Sequence, residues 1–239
     1  MDYTADLSAV RWLNPAYYSG PAAEPLKVKH LIPANYAHYA ALLPAVGVLA
    51  GFPFEQVRPN SVSIDQTNQN VAIWTQYGVY SAGRTPDYQP TTFRQLVTQF
   101  GLPYDLSLVS KLPWAKRGFA VVDELTAARL RKLLNELTPM AKLNLYVEDY
   151  WRWGPQMHQV LPCEDEVLYR VTADEFVAFL QQAMFDATAY LFPDDRSWCL
   201  VNFEDGPAPI IGLSTASQVS VLTLAEGEIL LLGSESELF

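Results

Sequence analysis

The chain has 239 residues, half of them apolar and 13% aromatic, and a formal net charge of −10. This composition excludes a disordered chain and suffices for one large domain or two small ones with a substantial core. No run approaches the roughly 18 apolar residues of a membrane helix, and the acidic start Met1-Asp-Tyr-Thr-Ala-Asp6 lacks the basic, then apolar pattern of a secretory signal.

Residues 1–30 read as irregular, with turns at Asn14-Pro15 and Gly20-Pro21 and a short extended approach at Lys27–His30. A helix is expected from Pro33, because proline suits a first turn and Tyr36, Tyr39, Ala40 and Leu43 form one stripe. Aromatics at that spacing are read as core. Asn68-Gln-Asn70 reads as a turn and Val71–Tyr80 as a strand. Thr91 or Thr92 should cap a helix carrying Phe93, Leu96, Val97 and Phe100, stopped at Gly101.

Residues 102–118, with Pro103, Pro113, Gly118 and the cations Lys111, Lys116 and Arg117, form the best internal boundary. No Gly/Ser linker appears there, so the expectation is a single domain, or two packed lobes over 1–117 and 118–239. Phe119–Val122 reads as a buried strand. A helix capped by Asp123 or Thr126 follows, with Ala127, Leu130, Leu134 and Leu137 on one face.

Leu143, Leu145 and Val147 alternate with Asn144, Tyr146 and Glu148, the pattern of a strand with one buried face. It runs into Trp151, Arg152 and Trp153, which read either as a stacking platform or as a half-buried strand end. Val167–Val171 is a strand expected to pair with the preceding one. Between them lie His158, Cys163 and the acidic turn Glu164–Glu166; one His/Cys pair falls short of the four ligands of structural zinc, so no metal is expected. Thr172-Ala-Asp-Glu175 is a capping box opening a helix over 173–188.

The stretch Tyr190–Asp205 holds most of the chemistry. Pro193 holds Phe192 extended, Asp194, Asp195 and Arg196 form a polar turn, and Trp198–Phe203 alternates as a strand ended by Glu204-Asp205-Gly206-Pro207. Ile210 and Ile211 are expected to pair back onto it. Ser214 then caps a last helix with Val219 and Leu222 on one side, and Ile229–Leu232 forms an edge strand. Two carboxylates beside a guanidinium define a candidate binding site of Asp194, Asp195, Arg196 and Trp198, flanked by Trp151, Arg152, Trp153, Glu204 and Asp205. The plainer reading is a turn whose arginine pairs internally, with Trp198 as a core anchor.

Phe192-Pro-Asp-Asp-Arg-Ser-Trp-Cys199, Phe203-Glu-Asp205 and Ile211-Gly-Leu-Ser214 together resemble the end of a family of uncharacterised bacterial proteins. That family carries a Trp-Pro-x-Asp-Arg-x-Trp pattern, an acidic pair and a Gly-Gly-Ser turn, and is similar to the endings of some predicted toxin-immunity proteins. Leu31-Ile-Pro-x-x-Tyr36-x-x-Tyr39 is similar to its opening. The chain departs from the pattern at Leu191-Phe192 and at Gly212-Leu213, and the resemblance implies no catalytic residues.

Residues 1–120 hold 9 Lys/Arg and 7 Asp/Glu, whereas 121–239 hold 7 and 19. So acidic a second half disfavours nucleic acid and anionic membranes and suits basic protein partners, although solubility alone would also account for it. The sequence contains no phosphate-binding glycine loop, Gly-x-Ser-x-Gly elbow or His-Glu-x-x-His motif. The fold class expected is α+β, a mainly antiparallel sheet with helices packed on one side. The function expected is non-enzymatic: a cytoplasmic binding protein, such as an immunity or antitoxin-like inhibitor of a basic partner, with no cofactor. The alternatives are a small-molecule binder or enzyme using Asp194, Asp195 and Arg196 with Trp151 and Trp153, and a scaffold subunit.

Overall fold

The computed structural model describes residues 1–13, 25–58, 63–80, 85–139, 141–148, 166–185, 187–204, 206, 208–224 and 227–238. In chain order it contains β1 (Asp2–Thr4), α1 (Val28–Leu31), β2 (His38–Leu43), β3 (Val46–Leu49), α2 (Ile64–Gln76), β4 (Tyr88–Thr91) and α3 (Phe93–Phe100). It continues through α4 (Leu108–Lys111), β5 (Phe119–Val121), α5 (Asp123–Leu137), β6 (Leu143–Glu148), β7 (Glu166–Val171) and α6 (Ala173–Gln182). The last elements are β8 (Ala189–Phe192), β9 (Trp198–Asn202), β10 (Ile210–Leu213), α7 (Ala216–Leu224) and β11 (Glu228–Leu232). The fold is α+β, and every strand pairing among the described residues is antiparallel.

Two compact units divide the chain: Met1–Leu43 with Ala127–Phe239, and Pro44–Thr126 between them. The stretch 102–118, expected as an internal boundary, lies inside the second unit, and the first unit is assembled from both ends of the sequence.

The first unit is an eight-stranded sheet in the order β1-β7-β6-β8-β9-β10-β2-β11. One face sends Leu143, Leu145, Tyr169, Leu191, Trp198 and Leu200 into a core shared with Leu130 and Leu134 of α5, Phe176 and Leu180 of α6 and Leu222 of α7. The alternation that builds this face follows from the two-residue repeat of a strand. The helices earn their places by capping as well as by stripe. Thr172 Oγ1 accepts the Glu175 amide while Glu175 Oε2 accepts the Thr172 amide at 2.8 Å. That helix ends at Gln182, short of residue 188, because the chain then turns through Met184 and Phe185 in the left-handed region. At α7 the reciprocal bonds are made by Thr215 and Gln218, so the cap is one residue later than Ser214.

The opposite face is buried too, which corrects the expectation of a single buried face for β6. Asn144 and Tyr146 are buried, as Leu145 is. Residues before β2 supply part of this cover: Gly212 in β10 has no side chain because a Cβ there would meet the Tyr36 ring at 2.7 Å and Ile32 at 3.0 Å. Lys27–His30, expected to be extended, instead falls largely in α1.

Two further expectations are overturned. His38–Leu43 is a strand, not a helix from Pro33; β10 and β11 pair with it on either side. A strand between two others, covered on both faces, carries a continuous apolar run that also satisfies helical spacing. Tyr36 and Tyr39 are nonetheless core residues. In the second unit, residues 64–76 form α2 where a turn and strand were expected, with Ser63 capping the Gln66 amide. Its buried contact is polar: Asn70 binds the Arg58 carbonyl at 3.0 Å. The rest of that unit is a three-stranded sheet, β4-β3-β5, with α3 capped by Thr92 and ended by Gly101 at φ +64°.

Candidate functional site

The turn between β8 and β9 is built by short-range polar contacts. Asp195 Oδ1 accepts the Ser197 amide at 2.9 Å, and the Arg196 amide closes on the Pro193 carbonyl at 3.0 Å. This aspartate turn is the local chemistry that adjacent Asp residues provide. It forces Arg196 to φ +54°, a region a glycine would occupy at lower cost. The Tyr36 hydroxyl donates to the Arg196 carbonyl at 3.1 Å and holds the turn against the N-terminal segment.

Asp194 is tied to strands remote in sequence. Asn144 on β6 and Arg170 on β7 are register partners, and Asn144 is also paired with Phe192 on β8. This row brings both side chains under the turn. Arg170 grips the Asp194 carboxylate with both terminal nitrogens, Nη2 lying 3.0 Å from Oδ2. Its Nη1 also donates to Asn144 Oδ1 at 3.0 Å and Nη2 to the Lys142 carbonyl at 3.1 Å. Asn144 Nδ2 donates to Asp194 Oδ1 at 2.9 Å. The fork of a guanidinium matches a carboxylate in this way, whereas a lysine cannot.

The hydrogen bonds from Arg170 and then Asn144 hold the Asp194 carboxyl below its ordinary range. A depressed folded-state pKa adds stability that is present above the unfolded value of about 3.9 and is lost as pH falls through the folded value. Asp194→Asn is therefore expected to be less stable than the native chain at neutral pH. The gap should narrow as acid titrates the native carboxylate, and urea midpoints measured down a pH series would show it.

Arg196 is exposed and its guanidinium lies 5.2 Å from the Trp12 ring centre. Trp12 in turn meets Phe192 edge-on at 5.1 Å. This stack is the arginine–aromatic packing expected of the plainer reading, made with a tryptophan far away in sequence. Trp198 does not join it. That indole points to the helix-covered face, wholly buried, with Nε1 donating to Thr138 Oγ1 at 2.9 Å. Glu204 lies beyond the other end of β9, a strand of five residues spanning roughly 17 Å. Trp151, Arg152, Trp153 and Asp205, with His158 and Cys163, lie outside the described residues.

Sequence reasoning missed Asn144, Arg170 and Trp12. A signal for the first two existed: each is a polar residue inside an otherwise apolar strand, and such groups require partners. Cys199 is fully buried, and that burial pushes its thiol pKa up, so it packs as a small core residue. An open cleft of about 410 Å³, lined in part by Asp6, Arg11, Tyr146 and Glu166, does not include the turn.

Fold and site together define an α+β protein whose eight-stranded sheet carries a hydrogen-bonded, surface-exposed acidic turn clasped from beneath by an arginine and an asparagine. Comparison of the chain with protein-family models, with curated proteins and with solved structures returned no match. Among the described residues, no helix is long and apolar enough to cross a membrane.

Proposed function

We propose that the protein is a non-catalytic cytoplasmic binding protein that recognises a basic protein partner through carboxylates of its second half, in the manner of an immunity or antitoxin-like inhibitor. The observation that carries this reading is how the charges are used. Four of the seven cations of that half are engaged within the chain: Arg131 with Asp174, Lys142 with Asp2 and Glu175, Arg170 with Asp194, and Arg196 on Trp12. The acids there outnumber them, 19 against 7, and Asp195 stands exposed on a turn fixed at both ends. A preorganised acidic surface of this kind steers a cationic partner and loses little entropy on docking. The resemblance of the Phe192–Cys199 motif to immunity-protein endings supports the same reading.

Affinity capture from the source lysate at low and high salt, followed by calorimetry with the recovered protein, tests it. One stoichiometric basic partner is expected, bound at least about tenfold more weakly at high salt and by Asp195→Lys. Binding that is insensitive to both, or recovery of no partner, would overturn the reading.

A further inference from the structure

The two edges of the eight-stranded sheet are treated differently. β1 is three residues long and carries Asp2, ion-paired to Lys142 at 3.3 Å. Short length and charge are the ordinary protections of an edge. β11 has neither in its centre: Ile229-Leu-Leu-Leu232 has no lysine, proline or bulge, and Leu231 is 68% exposed.

The orientation of its backbone follows from β2. In an antiparallel ladder the N–H and C=O of one residue point to the same side. The Leu42 amide donates to Pro209 on the β10 side, so Tyr39, Ala41 and Leu43 face β11, opposite Leu232, Leu230 and Glu228. Ile229 and Leu231 therefore present their amides and carbonyls outward, and among the described residues no hydrogen bond reaches them from that side.

We infer that this edge pairs with the same edge of a second copy of the chain, making one continuous sheet across a two-fold axis. The pattern is self-complementary about Leu230. Antiparallel pairing centred there sets Ile229 of one copy against Leu231 of the other, twice, so the outward amides and carbonyls satisfy one another. The same register lays the exposed Leu231 side chain against Ile229, which already packs on the helix-side core. The two Glu228 carboxylates fall at opposite ends, four residues or about 14 Å apart, beyond the screening length. A basic partner strand finds no matching charge in the middle of this edge, whereas its own copy matches the outward hydrogen-bonding groups and sets apolar side chains against apolar ones. The inference is independent of the binding reading above.

Sedimentation from micromolar to near-millimolar concentration tests it, read with amide exchange. The mass should rise from 26.8 kDa towards twice that value, and the Ile229 and Leu231 amides should become protected only at high concentration. Leu231→Pro removes an outward amide and leaves the β2 ladder intact. Leu231→Lys removes the apolar contact at an exposed position. Both should keep the native circular dichroism and raise the dissociation constant at least about tenfold. A monomer at every concentration, or a dimer that both variants leave unchanged, would overturn it.

Discussion

Replacing Trp198 with alanine is expected to lower the stability of the protein by about 3–5 kcal/mol, as large aromatic truncations in cores do. The indole is fully enclosed on β9, in the core that also holds residues of α5, α6 and α7. Truncation removes its transfer free energy and leaves a void that strands on both sides prevent from closing. The lost Thr138 bond adds little, because Thr138 is only half-buried and its hydroxyl can turn to water. Trp198→Phe should cost less, since most of the ring volume survives. The check is a urea titration: the midpoint should fall with the slope unchanged. A loss under about 1 kcal/mol would show that the indole is not a core anchor.

The second large effect is expected at Arg170. Its guanidinium serves Asp194, Asn144 and the Lys142 carbonyl together. Arg170→Ala leaves the Asn144 side chain, 4% exposed, short of a donor, at a cost of about 1–3 kcal/mol. Asp194 contributes less to that loss because its side chain is 71% exposed and water replaces the guanidinium. In a double-mutant cycle with Asp194→Ala, a coupling of about 1 kcal/mol is expected. Arg170→Lys should recover little, because an ammonium has no fork. Additive single effects would mean that the clasp does not hold the turn.

The elements legible in the sequence are those with a local signature. The helices at 93–100 and 173–182 announce themselves by caps and stripe, and the alternation of 143–148 and the run 167–171 mark two strands that do pair. Of the misread elements, two show the physical reason. β2 is apolar on both faces, so it obeys two periodicities at once. α2 is rich in Gln, Asn and Thr, leaves Ile64 and Val71 exposed, and buries an asparagine, so its stripe points to no face. The site divides in the same way. Its turn chemistry lies within six consecutive residues and could be read. Its clasp depends on which residues face each other across β7, β6 and β8, and strand register is a property of the assembled sheet.

The placement of β2 also constrains how the chain can be made. β2 is complete by Leu43, yet the strands that flank it, β10 and β11, begin only at Ile210 and Glu228. At about 5–20 residues per second, a ribosome needs on the order of ten seconds or more between them. Throughout that interval His38–Leu43 is an apolar segment with no ladder to join, while residues 44–126, the whole of the second unit, are made within it. Newly made protein therefore passes through a period in which its early strand is sticky, and expression at low temperature or with a hydrophobic-segment chaperone should raise the soluble fraction.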